Sequence, residues 1–240
     1  MSTAPLIKAA GHNSHALYFA SPVAAESAQQ RQLATPLGPL QIVACSAGIR
    51  QLQFLSPTAT AEQHLARQQA VGTVLNDSAE LWPLPPPLTD VTDTLLSSKA
   101  TATLAANASS AEQHLLAATT QLQQYFAGQR QHFQLTLAPT GSQFQRSVWQ
   151  LLAQLPYGRF CSYGWLAHLL QNPGAVRAVG AANGRNPIAI VLPCHRVVAG
   201  NGRLTGYAGG LGRKSWLLQH EQQQLAESST AGSGQQQLPL

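Results

Sequence analysis

Ser162-Tyr163-Gly164-Trp165-Leu166-Ala167-His168-Leu169-Leu170-Gln171-Asn172-Pro173-Gly174-Ala175-Val176-Arg177-Ala178-Val179-Gly180-Ala181-Ala182-Asn183-Gly184 is the stretch on which the fold turns. Ser162 predicts the cap of a short helix through Leu170. Asn172-Pro173 opens a second helix, with Asn at the cap and Pro at the first helical position. That helix is expected to run to about Asn183-Gly184. Two helices joined by a tight turn form a helix-turn-helix candidate, although many helical hairpins bind nothing. The second helix is made of Gly, Ala and Val with Arg177 among them. Such low bulk lets a backbone lie close to another surface. Close packing on a neighbouring helix explains the small residues equally well, but it gives Arg177 no reason.

Upstream, Ser142–Leu155 places Phe144, Val148, Leu151, Leu152 and Leu155 on one helical face, and Pro156-Tyr157-Gly158 ends it. Downstream, Ile188–Leu192 is an apolar run between Pro187 and Pro193, read as a buried strand. Towards the N-terminus, Leu40–Cys45 and Ile49–Leu55 flank an Ala47-Gly48 turn and predict a hairpin. Ala111–Phe126 has helical spacing and stops at Gly128, and the alternation of Phe133, Leu135 and Leu137 reads as a third strand. The expected division is a disordered arm over 1–31 and an N-terminal α/β domain over 32–138, interrupted by a variable insertion at about 56–110. A second domain spans 141–225 and a flexible tail spans 226–240.

The chain has 240 residues, 44% of them hydrophobic and only 10% charged, enough to bury a sizeable core. No apolar run approaches the roughly 18 residues of a membrane span, and no secretory leader is expected at the N-terminus. Cys45, Cys161 and Cys194 are too few for a disulfide framework or an all-cysteine zinc site, so a reducing cytoplasm is the expected location. The net charge of +5 is uneven. Gly141–Glu221 holds eight Lys and Arg against the single acid Glu221, +7, and the rest carries −2. A basic domain beside a mildly acidic one suggests a polyanionic partner, and a solvated arginine-rich surface is the plain alternative.

Cys45 and Cys161 read as small buried hydrophobes. Cys194 differs, because Pro193 precedes it and His195 and Arg196 follow it. A thiolate is the nucleophilic form of cysteine, and a neighbouring His or Arg lowers a thiol pKa. A histidine base needs a partner to fix its tautomer, and Glu221 is the available acid. A Cys-His-Glu relay follows from residue types alone, although sequence neighbours often point apart.

Pro193-Cys194-His195-Arg196-Val197-Val198 matches the active-site motif of the methylated-DNA–protein-cysteine methyltransferases, the O6-alkylguanine-DNA alkyltransferases. Phe144-Gln145-Arg146-Ser147-Val148-Trp149, Pro156-Tyr157-Gly158, Ser162-Tyr163-Gly164, Arg177-Ala178-Val179-Gly180, Asn186-Pro187, Thr205-Gly206-Tyr207-Ala208-Gly209-Gly210 and Trp216-Leu217-Leu218-Gln219-His220-Glu221 resemble family blocks in family order. The resemblance is close over Gly141–Glu221. It is looser over Ala34–Leu55 and Leu122–Gly128, which are similar to the bacterial, constitutive branch.

The resemblance implies a small N-terminal antiparallel sheet with helices, then a mainly helical domain holding the helix-turn-helix. It implies irreversible, stoichiometric transfer of the alkyl group from guanine O6, or thymine O4, to Cys194. His195 would act as base through a water, Glu221 would orient it, and Asn186 would brace the turn. The lesion base must leave the stack. Arg177 resembles the finger that replaces it, and Tyr163 the residue that turns the backbone phosphate. The helix carrying Arg177 would lie in the minor groove, where little sequence is read. Gln145 and Asn172 match DNA-backbone contacts, and Arg196 is placed with the arginines that hold phosphates. Tyr207, Val197, Ala208 and Ala189 would line the pocket. Ala189 stands where some relatives have Pro, which implies more room for larger alkyl groups.

No cofactor and no metal are expected, since Cys45 alone cannot form the zinc site of some relatives. The expected partner is double-stranded DNA carrying O-alkylated bases, with no membrane role. A stoichiometric scavenger needs no second subunit, so a monomer is expected. Two rivals remain at this point: a lesion-binding module without chemistry, and a cysteine hydrolase using Cys194, His195 and Glu221 on acyl substrates.

Overall fold

The computed structural model describes residues 17–20, 27–55 and 109–232. The N-terminal part is built on the strands β1 (Tyr18–Phe19), β2 (Gln29–Leu33), β3 (Leu40–Cys45), β4 (Gly48–Phe54) and β5 (Thr136–Leu137), in the order β1-β5-β4-β3-β2. The β2–β3–β4 ladders are antiparallel, and β5 and β1 add parallel pairings at the other side. Leu40, Ile42 and Ala44 alternate into the core from β3, as period-two burial requires. Helix α1 (Ser110–Phe126) covers the sheet with Ala111, Leu115, Ala118, Leu122 and Tyr125. These residues recur at spacings of three and four, one helical stripe. The Ser109 hydroxyl accepts from the Glu112 N–H and starts the helix.

The C-terminal part holds α2 (Gln143–Leu152), α3 (Tyr163–Leu169), α4 (Val176–Gly184) and α5 (Leu211–Gly232), with the short parallel pair β6 (Cys161–Ser162) and β7 (Val197–Val198). Ser142 and Gln145 form a reciprocal capping box on α2. Ser162 caps α3 by accepting from the Trp165 N–H. Trp149 Nε1 donates to the Ala182 carbonyl at 2.9 Å, pinning α2 to α4.

Four expectations need correction, and two fall largely outside the described residues. The supposed arm contributes β1, paired with the sequence-distant β5, and the start of β2, paired with its neighbour β3. The third strand is only Thr136–Leu137, and Phe133 and Leu135 are buried without joining it. Asn172 makes no side-chain cap; Pro173–Ala175 forms a 3-10 turn before α4 begins. Ile188–Leu192 is not a strand. Leu52 of β4 accepts from Ala189 N–H and donates to Pro187 carbonyl, and the chain then turns back with Ile190 at φ 70°. Asn186 sets that turn, its Oδ1 accepting from Ile188 N–H and its Nδ2 donating to Leu192 carbonyl at 2.7 Å. The expected insertion lies outside the described residues except for Ser109 and Ser110, and most of the expected tail does as well.

Gly48 closes the β3–β4 hairpin at φ 140°, where a Cβ would stand 2.5 Å from the Thr136 carbonyl oxygen. Gly48→Ala is expected to lower unfolding free energy by about 1–3 kcal/mol. Urea titration checks this, and an unchanged midpoint would contradict it.

Candidate functional site

The turn set by Asn186 delivers Pro193 to a 3-10 segment, Cys194–Arg196, that runs directly into β7. Cys194, His195 and Arg196 are all buried. Cys194 N–H donates to the Leu192 carbonyl at 2.7 Å, so the thiol is held by the same turn. Burial raises the Cys194 thiol above its usual range, and the Asn186 side chain and the Lys214 ammonium work against that rise. At rest the sulfur is protonated.

His195 follows Cys194 in the chain. Its Nε2 is 2.9 Å from Glu221 Oε1, and its Nδ1 is buried with no protein partner. Burial lowers the imidazole pKa, only partly opposed by the Glu221 carboxylate. The ring is therefore neutral, with Nε2–H facing Glu221 and the Nδ1 lone pair unused.

Glu221, on α5, is fully buried and accepts five hydrogen bonds. The donors are Tyr125 hydroxyl at 2.8 Å, Gly158 N–H at 3.0 Å, His195 Nε2, and two nitrogens of Arg196 at 2.8 and 2.9 Å. Burial alone would raise its carboxyl, but Arg196 and His195 outweigh it and hold the group well below the usual carboxylate range.

Arg196 is thereby corrected from a DNA contact to an internal counter-ion. Its Nε and Nη2 serve Glu221 and its Nη1 serves the Leu155 carbonyl. Gln145 is engaged as well, its amide oxygen accepting from Ser142 N–H in the capping box. Asn172 and Arg177 are exposed. On α4, Arg177, Ala178, Ala181, Gly184 and Arg185 face solvent, while Val179, Ala182 and Asn183 are buried. The exposed small residues therefore do not pack on a neighbouring helix. They leave a low-relief surface carrying two arginines.

Tyr163, half-buried at the start of α3, donates its hydroxyl to the Thr205 carbonyl at 3.4 Å, and its ring lies beside Gly180 of α4. In the expected pocket, Val197 is buried, Ala189 and Tyr207 are half-buried and Ala208 is exposed. The Tyr207 hydroxyl is buried without a protein partner. Burial and the nearby Cys194 push its phenol up.

Three participants escaped the sequence reading. Lys214 is buried, donates from Nζ to Val197 carbonyl at 2.6 Å and Thr205 carbonyl at 2.7 Å, and lies 6.0 Å from the Tyr163 ring. Burial lowers its pKa to about 8, with Cys194 and Cys161 pulling the other way. Its signal was positional: Lys214, Leu217, Leu218 and Glu221 share one buried stripe of α5, so two charges sit among apolar residues. Asn183 Nδ2 points at the Cys194 carbonyl at 3.5 Å. Tyr125 comes from the other domain, 96 residues from Glu221, and no local pattern announces it. Among the described residues, no three His, Cys, Asp or Glu side chains converge as metal ligands, and no helix is long and apolar enough to cross a membrane.

Residues 143–223 match the family model described as 6-O-methylguanine DNA methyltransferase, DNA binding domain, and residues 31–139 match that family's ribonuclease-like domain. A methylated-DNA–protein-cysteine methyltransferase of Methanosarcina acetivorans is 53% identical over 110 residues, 46% of this chain and 70% of that protein. One from Mycolicibacterium paratuberculosis is 53% identical over 113 residues, 47% of this chain and 68% of that protein. The solved O6-methylguanine methyltransferase of Mycobacterium tuberculosis superposes with a TM-score of 0.57 at 32% identity, covering 82% of this chain and 94% of that one. The OGT of the same organism in complex with DNA gives 0.56 at 33% identity, covering 81% and 93%.

Glu221→Gln leaves the buried Arg196 cation without its counter-ion and is expected to cost about 3–5 kcal/mol of stability. The pH dependence has a definite sign. Glu221, depressed in the fold, stabilises above its ordinary value of 4.5 and loses that contribution as pH falls. His195, depressed from 6.5, favours the fold in its neutral form and acts in the same direction. Wild-type stability should therefore decline below about pH 6.5 and more steeply below about 4.5, with the steeper limb flattened in the variant. Urea midpoints across pH 3–8 check this, and parallel curves would contradict it.

Proposed function

Because the chain belongs to the 6-O-methylguanine DNA methyltransferase family, we propose that it repairs O6-alkylated guanine in DNA by direct reversal, moving the alkyl group irreversibly onto Cys194. The observation that carries this reading is the buried His195–Glu221 pair directly after Cys194 in the chain, with Nε2 committed to Glu221 and Nδ1 buried without a protein partner. The Cys194 proton passes through a water to Nδ1, and Glu221 stabilises the imidazolium that forms. Lys214 favours the thiolate by charge. The sulfur attacks the alkyl carbon in line with the C–O bond and forms a thioether. The bonding pair returns to the guanine, which takes up a proton from water to become the ordinary base, and the His195 imidazolium returns its proton to water. Nothing in the site reverses the thioether, so each molecule reacts once.

The exposed small-residue face of α4 supports DNA as the partner, as does the DNA complex of the Mycobacterium tuberculosis relative. This face enters the minor groove. Arg177 fills the gap left by the extruded base, and Tyr163, at the start of α3, turns the phosphate. Asn172 and the exposed Arg185 hold the backbone. Tyr207, Ala189 and Ala208 border the flipped base. O4-methylthymine is a second substrate of the same attack. The protein works as a monomer in the cytoplasm.

Mass spectrometry of intact protein and its peptides, after mixing with duplex DNA holding one O6-methylguanine, tests the reading. One methyl group on the Cys194 peptide, saturating at one equivalent, is expected. Tight binding with unmodified Cys194 would instead favour a lesion sensor and overturn the transfer. Arg177→Ala should slow transfer from duplex DNA on the order of 100-fold, since base extrusion costs a few kcal/mol. Reaction with free O6-benzylguanine, which needs no extrusion, should fall far less. Equal losses on both substrates would remove Arg177 from the flipping step.

A further inference from the structure

Arg213 takes no part in the Cys194–His195–Glu221 relay, yet its guanidinium is buried and joins three segments. Nε donates to the Leu37 carbonyl at 2.9 Å, Nη2 to the Leu55 carbonyl at 3.2 Å, and Nη1 to the Gly209 carbonyl at 2.9 Å. Leu37 and Leu55 bracket the β3–β4 hairpin of the N-terminal part, and Gly209 belongs to the loop carrying Tyr207. The guanidinium also lies 4.6 Å from the centre of the Phe54 ring, at the end of β4. Gly209 occupies the space between the two rings. A Cβ there would stand 2.7 Å from Tyr207 and 3.2 Å from Phe54. The neighbouring Lys214 holds the other end of the loop through the Thr205 carbonyl. Two consecutive residues of α5 therefore fix Thr205 and Gly209, and Tyr207 lies between them.

We propose that Arg213 is a positioning residue that locks the Thr205–Gly210 loop onto the Phe54 end of the N-terminal hairpin, and so sets how bulky a group can reach Cys194. The planar fork of arginine suits three carbonyl acceptors spread around it; an ammonium has no such spread. With the Gly209 bond lost, the loop keeps its ties at Thr205 and Gly210 but loses its link to the N-terminal hairpin, and Tyr207 is free to move away from Cys194. The N-terminal part, which supplies no reacting atom, would thus govern alkyl size. The alkyl-size consequence rests on the proposed transfer; the access to Cys194 does not.

The test uses the full chain as wild type, R213Q, R213K and G209A, well below each melting temperature. Alkylation of Cys194 by iodoacetamide and by the bulkier N-phenylmaleimide is followed by peptide mass spectrometry. In parallel, transfer from methylated duplex DNA and from free O6-benzylguanine is measured. R213Q is expected to raise the bulky-to-small rate ratio at Cys194 about fivefold or more, which is about 1 kcal/mol. R213K should fall between R213Q and wild type. G209A, whose new methyl presses the Tyr207 ring, should lower the ratio. A purely structural role for Arg213 would change melting temperature and leave the ratio alone. A folded R213Q or G209A with the wild-type ratio overturns the proposal, and G209A carries the test if R213Q does not fold. Shifted thiol-reagent ratios without any alkyl transfer would sustain the positioning role and sink the proposed function.

Discussion

A single buried carboxylate organises this molecule. Glu221 gathers a tyrosine from α1, a backbone N–H from the Gly158 turn, and His195 and Arg196 from the active-site segment. Taking a carboxylate out of water costs several kcal/mol, and only well-aligned donors offset it. Arg196 supplies the charge. Tyr125 and Gly158 complete the shell, so the ionised form is the one the fold selects. The same bonds that stabilise Glu221 also settle which nitrogen of His195 carries the proton. Stability and reactivity here share one set of contacts.

The turn that carries Cys194 shows the cost of such placement. Ile190 sits in left-handed backbone space, which a β-branched residue rarely adopts. Asn186 over-determines the turn with bonds on both sides of it. Strain of this kind persists where surrounding bonds fix it, and it gathers at functional sites. Lys214 then places a buried cation near the sulfur without touching the relay. Cys194 is thus a protonated thiol at rest, with a base and a positive charge already in place.

Local chemistry made some of this legible in advance. Ser162 before a short apolar-periodic stretch, the turn residues around Leu40–Leu55, and Cys194 flanked by Pro193 and His195 are all decided by near neighbours. The residues that misled are those whose bonds are long-range. Tyr18–Phe19 becomes a strand only because β5 pairs with it. Ile188–Leu192 has strand composition, but Asn186 and Leu52 claim its backbone bonds. Arg196 and Lys214 look like surface charge in a basic stretch, and their burial depends on Glu221 and on carbonyls from elsewhere. Gln145 was legible after all. Ser142 followed three residues later by Gln is a capping-box spacing, and that spacing claims one end of its side chain.

The central claim is that burial keeps His195 neutral while Glu221 fixes its proton on Nε2, leaving Nδ1 free. Nitrogen-15 NMR of the His195 ring in unreacted protein at pH 7 measures it most directly. The account predicts a neutral imidazole protonated at Nε2, with Nδ1 showing the shift of an unprotonated ring nitrogen. Protonation at Nδ1, as the other tautomer or as an imidazolium, would contradict it.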